Sequence, residues 1–223
     1  SVRLQPDPES QMNRIGPSII LAVLAAVSLV RAQQPAFPPV TEEMLLKPSP
    51  NDWLMFSRTY DAQRFSPLNQ ITTQNVGQLK EAFKKELPAG PHEGIPIVYR
   101  GVMDMLVPGN AVQALDAPTG VVFWEHKRPS GSSRAKTMAI YDDMVFNSTP
   151  DGFIEALDAR TGELRWETKS SGRLTAGVIV VEGKVLTGRA CAPKREDCYI
   201  SAHDAKTGKE VWRFYTAAAS NEP

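Results

Sequence analysis

Apolar and polar positions alternate over short stretches of the chain, and turn residues separate these stretches at regular intervals. The pattern is clearest between residues 136 and 169, where Asp and Gly occur in the turns. Period-two alternation is typical of half-buried strands, and these turn residues tolerate positive φ. The segment therefore predicts four short antiparallel strands, which are KTMAIY (136–141), MVFNST (144–149), FIEALDA (153–159) and ELRWETK (163–169).

The same four-strand pattern occurs once before and once after this segment, at residues 95–127 and 176–215. All three copies share the skeleton A-x-D-A-x-T-G-x-x-x-W, which ends at Trp124, Trp166 and Trp212, 42 and 46 residues apart. Four antiparallel strands per period of about 40–45 residues are typical of a β-propeller blade. The sequence thus predicts an all-β fold, with residues 51–223 forming part of a β-propeller.

The skeleton residues suit turn formation and blade packing. Gly120, Gly162 and Gly208 occupy turn positions where positive φ is favourable. The tryptophans fall on the outermost strands, where a large ring can pack across to the neighbouring blade. Evenly spaced tryptophans could instead form a stacking platform for nucleic acid. The turn context, and a composition of 25 basic and 25 acidic residues, favour packing.

One further apolar position extends the repeat towards the N-terminus. Phe83, in LKEAFKKEL (79–87), lies 41 residues before Trp124 and is predicted to replace it on the outer strand of a preceding blade. One outer strand and three full repeats are fewer than the four to eight blades that close a propeller. We therefore expect a fragment of a longer protein, truncated on its C-terminal side.

The N-terminal region has the composition of a targeting segment. An uncharged stretch of 16 residues from Ile15 to Val30 follows Met12 and Arg14 and ends at the small-residue site VRA. This pattern predicts a secretory signal peptide at 12–32. A membrane anchor is the alternative, but a span needs about 20 residues.

The prediction divides the chain into several parts and implies export to the periplasm. The parts are an upstream extension (1–11), the signal peptide (12–32), a linker (33–50) and the partial propeller (51–223).

The two cysteines, Cys191 and Cys198, enclose the polar loop CAPKREDC. In an exported protein a disulfide is the expected state, because a metal site requires more ligands than two cysteines. The chain has no G-x-G-x-x-G after a strand, no H-E-x-x-H and no C-x-x-C-H haem attachment. His126 and His203 lie on predicted strands of the repeat, where we expect structural or solvated side chains.

Residues 52–71, DWLMFSRTYDAQRFSPLNQI, carry a more specific pattern than the blades. This run resembles the N-terminal segment of alcohol dehydrogenases that depend on pyrroloquinoline quinone (PQQ), the quinoproteins of the methanol and ethanol dehydrogenase type. The resemblance implies an eight-bladed propeller, of which this chain holds about the first three to four blades. It also implies PQQ, Ca²⁺ or a lanthanide, an alcohol substrate and a cytochrome c-type electron acceptor, with no membrane span after signal cleavage.

The resemblance also implies two cofactor-binding residues. Glu93, in PHEGIP at the start of the first repeat, matches a family Glu that hydrogen-bonds the cofactor. Thr175, in GRLTAGVIVV two repeats later, matches a cofactor-contacting Thr. The residues alone leave other interpretations open, since Glu is usually solvated and Thr is common in strands. We assign no catalytic residue, and the metal ligands stay unknown.

The chain departs from the family at three points. Met138 and Ala139 stand where many members have adjacent cysteines over the PQQ face. The Arg that usually follows has no clear counterpart, with Arg134 upstream, and Glu196 is the nearest carboxylate to the usual metal-ligating Glu. These departures keep an alternative open, a non-enzymatic propeller scaffold related to outer-membrane assembly lipoproteins.

Overall fold

Each predicted repeat folds into its own four-stranded antiparallel sheet in the computed structural model of the chain. The structure describes residues 36–129, 136–170, 174, 176–189 and 198–217, all within the compact unit Gln34–Pro223. The strands in chain order are β1 (Ile97–Tyr99), β2 (Val102–Val107), β3 (Ala111–Asp116), β4 (Val122–Lys127), β5 (Ala139–Tyr141), β6 (Met144–Ser148), β7 (Phe153–Asp158), β8 (Leu164–Lys169), β9 (Val178–Val181), β10 (Lys184–Gly188), β11 (Tyr199–Asp204) and β12 (Glu210–Tyr215). We call β1–β4, β5–β8 and β9–β12 blades 1, 2 and 3; the predicted propeller repeat is confirmed.

The D-A-x-T-G turn has the same geometry in all three blades. Gly120, Gly162 and Gly208 adopt φ of 71°, 73° and 72°, and each amide donates back to the carbonyl of the skeleton Asp at 2.8 Å. The register between the third and fourth strands shifts just before this turn in every blade. The repeated turn therefore positions the outer strand, and its tryptophan, identically each time.

Neighbouring blades meet through these tryptophans. The Trp124 indole donates to the Ala159 carbonyl of blade 2 at 3.1 Å, and the Trp166 indole donates to the Ala205 carbonyl of blade 3 at 2.9 Å. Each ring covers the turn glycine of the next blade, so that apolar residues of the three blades form one continuous core. Trp212, in the same register on β12, is 41% exposed.

The segment before the blades crosses their inner strands. Helix α1 (Glu42–Leu46) begins at Thr41, whose side chain accepts a hydrogen bond from the Met44 amide. We call residues 36–60 the N-terminal strap, because isolated bridges join it to blades 1 and 2, namely Val40 to Asp142, Trp53 to Val98 and Met55 to Ala139. The hydroxyl of Tyr60 donates to the Val180 carbonyl of blade 3 at 2.7 Å. Residues 36–50, predicted as linker, thus contain a short helix and pair with a blade.

The predicted strand at residues 79–87 is wrong. The described chain between the strap and β1 contains a short 3₁₀ helix at Val76–Gln78 but no strand. A strand needs a neighbour for its backbone groups, and no described strand pairs with this stretch. The Phe83 ring nevertheless covers Gly120, as the repeat tryptophans cover their glycines. The ring position was correctly predicted, while the backbone conformation was not.

Candidate functional site

The inner strands of the three blades begin side by side, and the residues at this end form a polar rim. We define the inner rim as Glu93, Lys136, Thr137 and Gly177, which lie just before β1, β5 and β9. Blades 1 and 2 join at the rim because the Ile95 amide donates to the Lys136 carbonyl at 3.0 Å. Residues distant in sequence are thereby brought together at one edge of the three sheets.

Blades 2 and 3 join at the rim by a closer approach. The Thr137 hydroxyl donates to the Val178 carbonyl at 3.3 Å, and the Ser148 hydroxyl donates to the Ala176 carbonyl at 2.7 Å. A Cβ added to Gly177 would lie 2.6 Å from Cβ of Thr137 and 2.8 Å from its amide nitrogen. Only glycine permits this contact, so Gly177 sets the spacing of blades 2 and 3 at the rim.

The rim carries one ion pair. The Lys136 ammonium lies 3.2 Å from a carboxylate oxygen of Glu93, and the two side chains are 59% and 44% exposed. Both charged groups therefore remain accessible to a ligand. Sequence reasoning missed Lys136, because a lysine in a loop carries no signal until the Ile95–Lys136 bond places it beside Glu93.

A mainly apolar cavity of about 390 Å³ adjoins the rim through Thr137 and Gly177. The strap contributes Met55, Phe56 and Tyr60 to its wall, and blade 3 contributes further aliphatic side chains. Part of the 52–71 run, between Met55 and Ala62, thus lines a cavity together with Thr137 and Gly177 of the rim.

Several residues singled out in the sequence lie in the core or outside the described residues. Met138 and Ala139, which the resemblance aligns with adjacent cysteines of many family members, are 1% and 2% exposed in the core. They pack within the blades and form no roof over the rim. Thr175, Arg134, Glu196 and Cys191 lie outside the described residues.

The pairing of Cys198 with Cys191 stays a prediction. Cys198 is disulfide-bonded, but its predicted partner lies outside the described residues. Within the described part of the chain, no cluster of three or more His, Cys, Asp or Glu side chains is suited to holding a metal ion.

The two repeat histidines lie in contacts between strands and blades. His203 is 2% exposed, and its ring nitrogens hydrogen-bond Ser201 and the Gly208 carbonyl. Burial lowers the pKa of His203, which favours the neutral ring. His126 lies 3.7 Å from the buried Glu155 of blade 2. Neither histidine belongs to the rim.

The fold and the rim define a class of protein, a β-propeller with a polar site where inner strands converge. The family model for the β-propeller domain of glucose, ethanol and alcohol dehydrogenases (PQQ) matches residues 53–140. The quinohemoprotein alcohol dehydrogenase ADH-IIG of Pseudomonas putida is 37% identical over 214 residues, or 88% of this chain and 30% of that protein. Methanol dehydrogenase [cytochrome c] subunit 1 of Methylorubrum extorquens is 31% identical over 79% of this chain and 32% of that protein.

Solved structures agree with these sequence relationships. The structure of ADHIIG from Pseudomonas putida HK5 superposes with a TM-score of 0.73 at 35% identity, covering 82% of this chain and 30% of that one. A europium-containing methanol dehydrogenase superposes with a TM-score of 0.72 at 30% identity, covering 81% and 35%. The chain is a relative of the PQQ-dependent alcohol dehydrogenases and spans about 30% of the length of ADH-IIG.

Over the described ranges, no helix is both long enough and apolar enough to cross a bilayer.

Proposed function

We propose that the full-length protein is a periplasmic quinoprotein that oxidises alcohols by hydride transfer to PQQ with the assistance of a metal ion. The observation that carries the proposal is the inner rim itself. Glu93, matched by resemblance to a cofactor-binding Glu, precedes the inner strand of blade 1 and lies next to the Lys136 ammonium. Relatives named quinone-dependent alcohol dehydrogenases support the same activity.

The groups at the rim fit part of such a cofactor. PQQ is a flat ortho-quinone with three carboxylates, which requires donors and cations around its edge. Lys136 supplies a cation, and Glu93 supplies an acceptor for a cofactor N–H or O–H group. When bound, PQQ would accept the hydride, while the chain positions it and excludes competing reactions. Thr175, two residues before Gly177, is the second proposed contact.

The proposed metal ion is supported by a structural relative rather than by residues of this chain. The described residues form no cluster of three or more side chains suited to a metal ion, so no ligand is assigned among them. We propose Ca²⁺ or a lanthanide because a structural relative is a europium-containing enzyme. We propose that its ligands and the base that takes the alcohol proton lie in the remainder of the full-length protein.

The proposed electron acceptor is a cytochrome c-type protein. The support is the name of the Methylorubrum extorquens relative, methanol dehydrogenase [cytochrome c] subunit 1. Reduction of purified cytochrome c by the loaded full-length protein and an alcohol would test this step. Reduction of artificial acceptors alone would contradict it.

The activity is tested by reconstitution of the full-length protein. We expect saturable PQQ binding in the presence of Ca²⁺ or a lanthanide, and alcohol-dependent reduction of an artificial acceptor dye. Glu93→Gln should weaken PQQ binding about 10-fold or more, since a hydrogen bond to a charged group contributes about 1.5–3 kcal/mol. Glu163→Gln, in the exposed β7–β8 turn, is the matched control. Absence of both binding and dye reduction would overturn the enzyme and favour a propeller scaffold.

The periplasmic location is tested separately. N-terminal sequencing of the protein from a periplasmic extract should begin at Gln33, after cleavage of the predicted signal peptide at 12–32. An uncleaved protein in the membrane fraction would contradict the signal peptide and favour an anchor.

A further inference from the structure

Arg58 of the strap is a buried cation. The residue is 8% exposed, its φ is 70°, and its amide donates to the Met55 carbonyl at 3.0 Å. Nη2 of the guanidinium donates to the Pro48 carbonyl at 3.4 Å. A guanidinium has five N–H donors, and the buried Nε has no acceptor among the described residues. The folded strap therefore encloses a positive charge that a single backbone carbonyl does not satisfy.

A second buried guanidinium in the same fold has a full set of partners. The Arg128 side chain is 12% exposed and pairs with Glu155, Glu167 and Asp151 at 2.9, 2.8 and 3.1 Å. By contrast, none of the ion pairs of the described residues includes Arg58. An unpaired charge is costly to bury. The comparison therefore points to an anionic group that pairs with Arg58 in the full-length protein.

Another arginine of the same loop lies at the surface. Arg64 also has positive φ, 53°, but the residue is exposed. Its Nε donates to the Ser57 hydroxyl at 3.4 Å, and its guanidinium lies 5.2 Å from the centroid of the Phe56 ring. Solvent satisfies exposed donors of this kind, so Arg64 needs no anionic partner. The requirement for a partner at Arg58 follows from burial and not from the residue type or the loop.

The strap lies where the remainder of a closed propeller would approach it. It bridges the inner strands of blades 1 and 2, and the Tyr60 hydroxyl donates to a carbonyl of the inner strand of blade 3. The blades of a propeller surround one central channel, so later blades would face the same strap. The residues on either side of Arg58, Ser57 and Thr59, also line the apolar cavity. An anionic group therefore has two sources, a later blade or a small molecule.

We propose that Arg58 is an anion-binding residue that holds a carboxylate group in the full-length protein. A carboxylate is the acceptor whose charge and planar shape match a guanidinium through two parallel hydrogen bonds. It is supplied by an Asp or Glu side chain outside this chain or by a free small-molecule carboxylate. The inference does not involve PQQ, so it and the proposed function stand or fall separately.

The test uses variants of the full-length protein that separate the charge of Arg58 from its Pro48 contact. Arg58→Gln removes the charge but keeps an N–H donor for the carbonyl, whereas Arg58→Lys keeps the charge without the planar fork. Arg64→Gln is the matched control, because it makes the same substitution in the same loop at an exposed position with positive φ. Thermal unfolding is measured in sodium formate and in sodium chloride at equal ionic strength.

In formate, Arg58→Gln should lower the thermal midpoint by a few degrees more than Arg64→Gln does, because the bound carboxylate loses its cation. Arg58→Lys should lie between the wild type and Arg58→Gln. A free carboxylate predicts a smaller loss in chloride, which cannot form two parallel hydrogen bonds, and a saturable rise of the wild-type midpoint with formate.

A side-chain carboxylate predicts the same loss in both salts. In that case one Asp→Asn or Glu→Gln substitution outside this chain should cause a loss that is not additive with that of Arg58→Gln.

Two outcomes would overturn the proposal. Equal midpoints of Arg58→Gln and Arg64→Gln in formate would show that solvent is sufficient for the Arg58 guanidinium. A loss that is equal in both salts and additive with every Asp→Asn and Glu→Gln substitution outside this chain would leave Arg58 with the Pro48 contact alone. If Arg58→Gln does not fold, Arg58→Lys and Arg64→Lys provide the same comparison.

Discussion

The contact between blades 1 and 2 and the contact between blades 2 and 3 share one plan but differ in polarity. In both, an outer-strand tryptophan covers the next turn glycine and donates to a carbonyl. Around that shared element, the first contact contains buried charges and the second contains aromatic rings and neutral hydrogen bonds. The repeated turn therefore specifies where blades touch, and leaves the remaining contact surface free to vary.

The difference is clearest among the residues that pair across each sheet in line with its tryptophan. In blade 1 these residues include Asp104, whereas the corresponding position of blade 2 holds Phe146. The Phe146 ring lies 5.9 Å from that of Trp166. Asp104 is completely buried, and neither of its carboxyl oxygens has a hydrogen-bond partner within the described part of the chain.

A second difference lies four residues after each tryptophan. Arg128 of blade 1 reaches Glu155, Glu167 and Asp151 of blade 2 at 2.9, 2.8 and 3.1 Å. At the matching position of blade 2, the Ser170 hydroxyl hydrogen-bonds the Tyr199 hydroxyl of blade 3 at 2.5 Å. The first contact therefore contains charge pairing, whereas no ion pair joins blades 2 and 3 among the residues that the structure describes.

Among the substitutions that compare the two contacts, replacing Arg128 should cause the largest loss of stability. Arg128→Met leaves Glu155, 1% exposed, without its cation, and breaking a buried pair costs about 3–5 kcal/mol. Ser170→Ala should cost only about 1 kcal/mol, as for a neutral hydrogen bond. Thermal unfolding of the full-length protein measures both, with Arg165→Met, which is 47% exposed, as control. Equal effects of Arg128→Met and Ser170→Ala would contradict the proposed difference.

Substitution of the turn glycines should destabilise both contacts in the same way, because a tryptophan ring covers each glycine. In Gly162→Ala the new Cβ would lie 2.7 Å from Cδ2 of Trp124, and in Gly208→Ala 2.8 Å from Cδ2 of Trp166. Overpacking costs about 1–3 kcal/mol, and positive φ adds about 1–2 kcal/mol for a residue with Cβ. Gly109→Ala, with φ of +92° and no atom within 4 Å of the added Cβ, isolates the backbone contribution. If Gly162→Ala and Gly208→Ala are as stable as the Gly109→Ala control, the tryptophan rings move aside without cost. That result would contradict the tight contact.

The first contact should also depend on pH through Asp104. Burial raises the pKa of Asp104 from its ordinary 3.8 to about 8. The folded chain therefore holds a proton that the unfolded chain releases, so this residue's contribution to stability falls as pH rises from about 4 to about 8. Asp104→Leu should remove this residue's contribution to the fall in unfolding free energy with pH. It should also raise the thermal midpoint at pH 8 by several degrees.

Two controls accompany the Asp104 measurement. Asp104→Asn removes the titration while keeping the shape, and Asp143→Asn changes an exposed carboxylate. A pH profile of Asp104→Leu parallel to that of the wild type would contradict an effect of Asp104 ionisation.

The smallest expected difference concerns the tryptophan hydrogen bonds. Trp124→Phe and Trp166→Phe each remove one indole N–H donor, a loss of about 1 kcal/mol. We expect the Trp124 variant to lose more, because that side chain is 7% exposed while Trp166 is only partly buried. Thermal unfolding checks the order, and a larger loss for Trp166→Phe would reverse the proposed ranking of the contacts.

Local sequence patterns predicted the blades well because each blade is formed by hairpins between neighbouring segments. The alternation in FIEALDA and the turn RTG contain both the strand and its connection. The same reasoning failed at residues 79–87, where a strand would need a partner that no neighbouring segment provides. It also gave no indication that Asp104, in the run VMDMLV, would be fully buried.

The sequence by itself determined the repeat, the turn glycines with positive φ, the outer-strand positions of the tryptophans and the relationship to PQQ-dependent dehydrogenases. These features depend on residues close in the chain or on a recognisable run. Only the tertiary structure decided that Lys136 faces Glu93, that Gly177 packs on Thr137 and that Arg128 pairs with blade 2. Such contacts join residues from different blades, and their free energy depends on distance and burial that no local pattern encodes.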